Sequence, residues 1–273
     1  MFKGLFHKAI GSSGTPWNTR SAQPVTLHHS HARGITLFSK LGVNGTANPL
    51  AAARALDWQT VMKASTQYEG FSYRYPGSEM EGYWDVTIDY EPIDFRSPAP
   101  FMPKQPSEIF AAGEQNAVPM MLGGNLGEVM NVGWIIFPET IPTYVEIFEG
   151  AAKAHQKSYA YIFDQMPVNL RKPPPGTWAA THGMDVPYVF GALDLQTTWT
   201  LTDADRYVSE AMMSMFTQFA KTGDPNVQGY VHWPQYEAAD KFLFIHDGLV
   251  IKTPFSQIGP GEYNPQEPGK YRP

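Results

Sequence analysis

One histidine stands out as a residue that could transfer protons. His182 lies between Thr181 and Gly183, and an apolar run that ends at Gly191 follows it. Gly183 and the Pro-Pro-Pro-Gly segment at 173–176 allow the backbone to turn, so the imidazole can project from the tip of a loop. Because imidazole titrates near neutral pH, a histidine placed in this way can act as a general base. The alternative is a histidine that only makes hydrogen bonds within its own loop.

Two other groups of side chains could support different chemistry. His28, His29 and His31 could bind a metal ion, but they precede a helical pattern and no carboxylate neighbours them in the sequence. We therefore predict no metal site. Asp185 lies close to His182 and could be its acid partner, although closeness along the chain does not establish that pairing.

Composition limits the classes of protein to consider. The 273 residues are 42% apolar and 17% charged, with a net charge of −6, which is typical of a globular protein and argues against nucleic-acid binding or a basic membrane patch. No apolar run approaches the roughly 20 residues of a membrane span. Cysteine is absent, which excludes disulfides and a thiolate nucleophile. That fits a reducing compartment such as the cytoplasm without requiring one, and localisation stays open.

The elements that must position His182 alternate between strands and helices. Apolar runs predict strands at residues 9–10, 118–125, 159–164 and 241–247. Apolar residues at helical spacing predict helices at residues 31–41, 50–64, 107–113, 143–157 and 203–221. This alternation favours an α/β fold with a mainly parallel sheet flanked by helices.

The helix at 203–221 has the clearest pattern. Thr202 can cap it together with Asp205, while Gly223 ends it and Pro225 prevents its continuation. One face carries apolar side chains that we predict to be buried: Val208, Ala211, Met212, Met215, Phe216 and Phe219. The Met and Phe residues indicate core packing, and no cofactor is predicted.

Several stretches, taken in order, resemble the type-B carboxylesterase (cholinesterase-like) family of α/β-hydrolases. Residues 4–14 are similar to the strand just after the nucleophile helix, and residues 118–128 to the strand and loop that carry the acidic triad member. Residues 181–191 are similar to the histidine loop. Residues 219–226, with Trp-Pro at 233–234, match a characteristic late helix end. The resemblance implies one α/β-hydrolase domain over residues 1–273, lacking its early strands, with an irregular tail at 250–273.

The resemblance also assigns roles to single residues. It implies that His182 is the catalytic base and that Glu128 is the acid that orients it, in agreement with the Ser…Asp/Glu…His order of α/β-hydrolases. Ser13 matches a serine that hydrogen-bonds the acid. Trp17 matches, weakly, the position of a bulky residue in the acyl pocket, and its alternative is a buried aromatic. The chain departs from its relatives at Val129, where they usually have glycine.

The nucleophile of that family has no counterpart in this sequence. The nucleophile elbow reads Gly-x-Ser-x-Gly, and no such pentapeptide occurs here. The nearest match, Gly-Ser-Ser-Gly at residues 11–14, has the wrong glycine spacing. By resemblance, the sequence starts after the nucleophile and after the oxyanion-hole segment, so the strand at 9–10 would be an exposed sheet edge.

Two functions remain open from the sequence. The chain could supply Glu128 and His182 to a Ser-Glu-His hydrolase of small carboxylic esters, being inactive or weakly active by itself. Alternatively, it could be a non-catalytic binding protein on a hydrolase scaffold. Expected partners are an ester substrate and either a complementary N-terminal segment or a second copy at the exposed sheet edge. Neither nucleic acid nor a membrane is expected.

Overall fold

A computed structural model describes residues 4–14, 25–65, 87–88, 102–128, 140–171, 179–237 and 240–256. The chain divides into two compact units. The first comprises Met1–Thr15 with Ile109–Pro273, and the second comprises Pro16–Glu108. The assignment of residues 1–273 to one hydrolase domain stays a prediction.

The first unit is built on a five-stranded sheet. Its strands are β1 (Ala9–Ser12), β4 (Met120–Asn125), β5 (Ser158–Phe163), β6 (Phe242–Ile245) and β7 (Leu249–Lys252), and they lie side by side in that order. The first four are parallel, while β7 runs antiparallel to β6. The predicted, mainly parallel α/β sheet is thus confirmed, and each predicted strand is present with bounds shifted by a few residues.

The central strands of the sheet are buried. All six residues of β5 and all four of β6 are buried, and every one of them except Ser158 is aliphatic or aromatic. Tyr159 and Tyr161 of β5 make edge-on ring contacts with Phe219 and Phe216, respectively. These contacts attach the last long helix, α7 (Asp203–Thr222), to the sheet.

Helix α7 follows its sequence pattern closely. Thr202 and Asp205 form the predicted capping box, and Gly223 ends the helix with a φ of 78°. The six apolar residues predicted to be buried are all buried. Asp205 is fully buried and also accepts hydrogen bonds from Gln165 and Tyr188, each at 2.7 Å. Burial opposes the ionisation of this carboxyl, but the donated bonds outweigh it, so its pKa lies below the ordinary value.

Strand β7 differs from the sequence prediction, which placed residues 250–252 in an irregular tail. The strand forms because Asp247 and Gly248 both adopt positive φ angles, which reverses the chain and lets β7 pair with β6. The remainder of the predicted tail, from residue 257, lies outside the described residues.

Two more helices belong mainly to the first unit. Helix α5 (Thr140–Lys153) is shifted towards the N-terminus relative to its prediction, and His155 with a φ of 54° follows its end. Helix α4 (Pro106–Ala112) ends at Gly113, as predicted. Strand β1 pairs only with β4 among the described residues, and its Ile10 is 42% exposed.

The described part of the second unit contains helices and a short strand pair. Helix α1 (Leu27–Lys40) begins four residues before its predicted start, and β2 (Val25–Thr26) pairs with β3 (Thr87–Ile88). The single helix predicted at 50–64 is in fact two, α2 (Pro49–Arg54) and α3 (Trp58–Ser65). The break occurs because Asp57 accepts hydrogen bonds from the amide and hydroxyl of Thr60 and so starts a new helix.

No helix within the described ranges has the length and apolar character needed to cross a bilayer.

Candidate active site

The candidate site lies where the parallel strands of the first unit end. Strand β4 ends at Asn125 and leads into the loop that carries Glu128, and the histidine loop lies beside it. The amide of Gly127 donates to the carbonyl of Ala180 at 2.9 Å, and Gly127 forms an isolated parallel bridge with Thr181. The carboxyl ends of parallel strands are where open α/β sheets place their ligands.

Glu128 and His182 form a direct hydrogen bond. Nδ1 of His182 lies 2.5 Å from Oε2 of Glu128. The two side chains differ sharply in exposure, since 69% of the imidazole but only 6% of the carboxylate is exposed. The buried acid fixes the orientation of the ring, and the ring itself is open to a reactant.

Ser13 supports the acid from the other side. Its hydroxyl donates to Oε1 of Glu128, and the amide of Asn125 donates to the same oxygen at 2.7 Å. Ser13 adopts a φ of 59°, a left-handed conformation that is uncommon for a residue other than glycine. Such backbone strain is found preferentially at functional sites.

Gly124 leaves room for this contact. A Cβ at that position would lie 3.0 Å from Oε1 of Glu128 and 3.4 Å from Oγ of Ser13. Glycine is therefore the residue that lets the carboxylate approach β4 closely.

The histidine loop is held at both of its ends. Before His182, the amide of Ala180 donates to Oδ1 of Asp164 at 3.0 Å. After it, Gly183 adopts a φ of 80°, and the amide of Met184 donates to the carbonyl of Thr181 at 3.1 Å. The turn predicted around Gly183 is thus present, and it places the imidazole on an exposed loop.

Asp164 also contacts a second histidine. Nδ1 of His246 lies 3.0 Å from the backbone carbonyl of Asp164 and 3.2 Å from its carboxylate. The hydrogen bond to Asp164 raises the pKa of His246 above its ordinary value, against the opposing effect of burial.

Buried phenols complete the floor of the site. Tyr144 of α5 donates to the carbonyls of Gly14, at 3.1 Å, and Gly123, at 2.9 Å, so it ties the end of β1 to β4. Burial raises the pKa of Tyr144 well above its ordinary value, and that of Tyr161 likewise. Both phenols therefore stay protonated at physiological pH and act as neutral groups.

The structure brings three of the sequence-derived residues together and leaves others apart. Ser13, Glu128 and His182 form one chain of hydrogen bonds. Trp17 and Val129 lie outside the described residues. The histidines at 28, 29 and 31 lie in helix α1 of the second unit. Within the described ranges, no three His, Asp or Glu residues are grouped closely enough to hold a metal ion.

Sequence patterns do not identify Ser12 or Asn125 as site residues, and they leave the role of Asp185 open. The structure buries Asp185 beside the site, where it accepts hydrogen bonds from Oγ of Ser12 at 2.6 Å and Nδ2 of Asn125 at 3.1 Å. The available signal was positional, because Ser12 adjoins Ser13 and Asn125 ends a buried strand.

The arrangement can accept and return a proton at one atom. Nε2 of His182 makes no hydrogen bond within the described part of the chain, and the ring is exposed. The hydroxyls of Ser12 and Ser13 both donate to carboxylates, so neither of them is paired with this nitrogen. The site therefore presents an exposed imidazole that a buried carboxylate orients.

The mainly parallel sheet, with the acid and histidine loops at its carboxyl end, defines an α/β-hydrolase fold. Solved structures agree. A para-nitrobenzyl (PNB) esterase structure superposes with a TM-score of 0.62 at 21% identity, covering 92% of this chain and 56% of that one. A second PNB esterase structure gives a TM-score of 0.64 at 20% identity.

Sequence comparisons indicate a family. Residues 140–255 match the model of the carboxylesterase family. Carboxylesterase 1E of Rattus norvegicus is 24% identical over 89% of this chain and 52% of its own length. The medium-chain fatty acyl-CoA hydrolase precursor of Anas platyrhynchos is 32% identical over 89% of this chain and 50% of its own length. Para-nitrobenzyl esterase of Bacillus subtilis is 25% identical over 91% of this chain and 54% of its own length.

Residues 140–255 thus carry the signature of the carboxylesterase family, and the chain as a whole is similar to members of that family. The chain spans about half the length of these curated relatives.

Proposed function

We propose that this chain supplies the acid and the base of a carboxylic-ester hydrolase that works through a Ser-Glu-His triad. The observation that carries the proposal is the 2.5 Å contact between the buried carboxylate of Glu128 and Nδ1 of the exposed His182. This contact fixes the tautomer in which Nε2 is unprotonated and can accept a proton.

The reaction follows from this geometry. Nε2 of His182 takes the proton of a serine hydroxyl while the serine oxygen attacks the ester carbonyl. Glu128 stabilises the resulting imidazolium through the Nδ1–H bond. The imidazolium then protonates the departing alkoxide, leaving an acyl-serine. In the second half of the cycle, His182 deprotonates a water molecule that attacks the acyl-serine, and the proton returns to the serine as the acid is released.

This sequence contains no Gly-x-Ser-x-Gly motif that could supply the nucleophilic serine. We propose that a complementary segment provides it, together with the oxyanion donors, and pairs with the free side of β1. Strand β1 suits that role because it pairs only with β4 among the described residues and exposes 42% of Ile10. A second copy of the chain on the same edge is the alternative partner.

The substrate class is a small carboxylic ester. The names of two relatives support that class, because they describe a carboxylesterase and a para-nitrobenzyl esterase. Acyl and alcohol preferences depend on pocket residues, and Trp17 is the one that the sequence nominates.

A non-catalytic binding role is the second candidate. The missing Gly-x-Ser-x-Gly motif favours it for the chain by itself. The bonded Glu128–His182 pair favours catalysis, because binding alone has no need of an oriented base.

Ester hydrolysis and serine labelling of the purified chain test the proposal. The chain would be assayed with p-nitrophenyl acetate and a fluorophosphonate probe, beside His182→Ala. We expect neither turnover above that of His182→Ala nor labelling. A labelled serine, with turnover that is lost in His182→Ala, would contradict an external nucleophile and would identify the serine that acts in its place.

A further inference from the structure

A second carboxylate lies next to the Glu128–His182 pair and has no role in the mechanism above. Asp185 is 3% exposed, and no lysine or arginine of the described residues forms an ion pair with it. A buried charge without a cationic partner is costly unless hydrogen bonds replace water. The hydrogen bonds of Asp185 therefore have to compensate for its burial.

The bonds of Asp185 parallel those of Glu128. Two adjacent serines at the end of β1 donate hydrogen bonds to the two acids: Ser12 donates to Asp185, and Ser13 donates to Glu128. Asn125 at the end of β4 also donates to both acids. Its side chain donates to Asp185, and its backbone amide donates to Glu128. The ends of β1 and β4 thus bind the two carboxylates as a pair.

Asp185 connects these strand ends to the histidine loop. It lies three positions after His182 and immediately before the short helix α6 (Val186–Val189). Its side chain makes no capping bond to that helix. Both of its carboxylate oxygens are instead used on Ser12 and Asn125, which fixes the loop's C-terminal side to the same two strands that fix Glu128.

We infer that Asp185 is a positioning residue that sets the distance between His182 and Glu128 by tying the histidine loop to Ser12 and Asn125. The inference rests on the proposed role of His182 as the base. The loop's N-terminal side is held by Asp164 and Gly127 through Ala180. Without the side-chain bonds of Asp185, the C-terminal side of the loop is held by α6 and no longer by the strand ends that hold Glu128, so the imidazole can move relative to the acid.

Nuclear magnetic resonance of the full chain tests this inference. With histidine labelled by ¹⁵N, the Nδ1 proton of His182, held between nitrogen and carboxylate, gives a resonance shifted far downfield. Asp185→Asn keeps the shape of the side chain, but its single remaining acceptor can serve only one of the two donors. We expect Asp185→Asn to lose or broaden that resonance and to accelerate amide exchange at Met184 by about tenfold.

Two comparisons separate positioning from a general loss of stability. Ser12→Ala removes the same link from the strand side, so it should reproduce the effect, and combining it with Asp185→Asn should add little. Asp194→Asn is the matched control, because the Asp194 side chain is 83% exposed and pairs with Arg206 at the surface. It should leave both signals unchanged.

Each outcome decides a distinct claim. If folded Asp185→Asn keeps the wild-type resonance and the wild-type exchange at Met184, the inference is overturned. If the wild-type chain lacks the downfield resonance and Glu128→Gln changes nothing, the Glu128–His182 pair of the proposed function fails. In that case amide exchange at Met184 alone tests the role of Asp185. Faster exchange in Asp185→Asn than in the wild type supports the positioning role, and unchanged exchange refutes it.

Discussion

The imidazole of His182 lies 2.5 Å from the carboxylate of Glu128, although 54 positions separate the two residues. The contact joins the loop after β4 to a loop that follows β5, and a bridge between Gly127 and Thr181 aligns the two loops. The carboxylate is covered and the imidazole is open, which is the arrangement that the proposed proton exchange with a bound reactant requires.

The three bonds to Glu128 should make its charge important for stability. Glu128→Gln leaves a single acceptor oxygen, so the bonds from Ser13, Asn125 and His182 cannot all be kept, and those that remain are neutral and weaker. We expect the free energy of unfolding to fall by roughly 1.5–3 kcal/mol, measured by denaturant unfolding. Glu210→Gln, on the exposed face of α7, should change it by less than about 0.5 kcal/mol. Equal effects of the two substitutions would refute the interpretation.

Ser13 combines a favourable hydrogen bond with an unfavourable backbone conformation. Ser13→Ala loses the bond to Glu128 but keeps the φ of 59°, so it should destabilise the chain by roughly 1.5–3 kcal/mol. Ser13→Gly loses the same bond but tolerates the positive φ, so it should destabilise less than alanine does. Thermal unfolding of the two variants measures the difference, and a glycine variant that is the less stable of the two would contradict the argument.

Gly124 should not accept a methyl group. In Gly124→Ala the new Cβ would lie 3.0 Å from Oε1 of Glu128, so the carboxylate must shift and its bonds must lengthen. We expect a loss of roughly 1–3 kcal/mol in unfolding free energy. Gly34→Ala is the control with the opposite sign, because nothing lies within 4 Å of its Cβ and alanine is the better helix former in α1. A neutral Gly124→Ala would show that the contact is not close.

The raised pKa of His246 should make stability depend on pH. Because its pKa is higher in the folded chain than its ordinary value of 6.5, the stabilisation is fully present below about pH 6.5 and is lost as pH rises through the folded value. His246→Gln should therefore cost more unfolding free energy at pH 5.5 than at pH 8.5. Denaturant titrations at both pH values check this, and a cost that increases with pH would contradict it.

Elements with strong local signals could be predicted from the sequence. Helix α7 has a capping residue, an apolar face and a terminating glycine, and these fix both of its ends. The buried strands could be predicted because each contains a short, continuous apolar run. Such a run lacks the spacing of an amphipathic helix and suits a strand that is covered on both faces. The break at Asp57 and strand β7 were missed, because each depends on a single turn that interrupts an otherwise continuous pattern.

The site was only partly accessible to sequence reasoning. Glu128, His182 and Ser13 were proposed through a family resemblance, and the structure brings them together. The role of Asp185 does not follow from its neighbours in the sequence, because its contacts come from Ser12 and Asn125 at the ends of two distant strands. Contacts between strand ends depend on sheet order, which local patterns do not specify.

The most direct measurement is the rate of p-nitrophenyl acetate hydrolysis after this chain has been joined to a relative's segment that carries Gly-x-Ser-x-Gly. Wild-type His182 would be compared with His182→Ala in that joined protein, with circular dichroism as the check on folding. The account predicts turnover with wild-type His182 and a fall of at least roughly 10³-fold in kcat with alanine. Turnover that is equal in the two proteins would contradict the claim that His182 is the base.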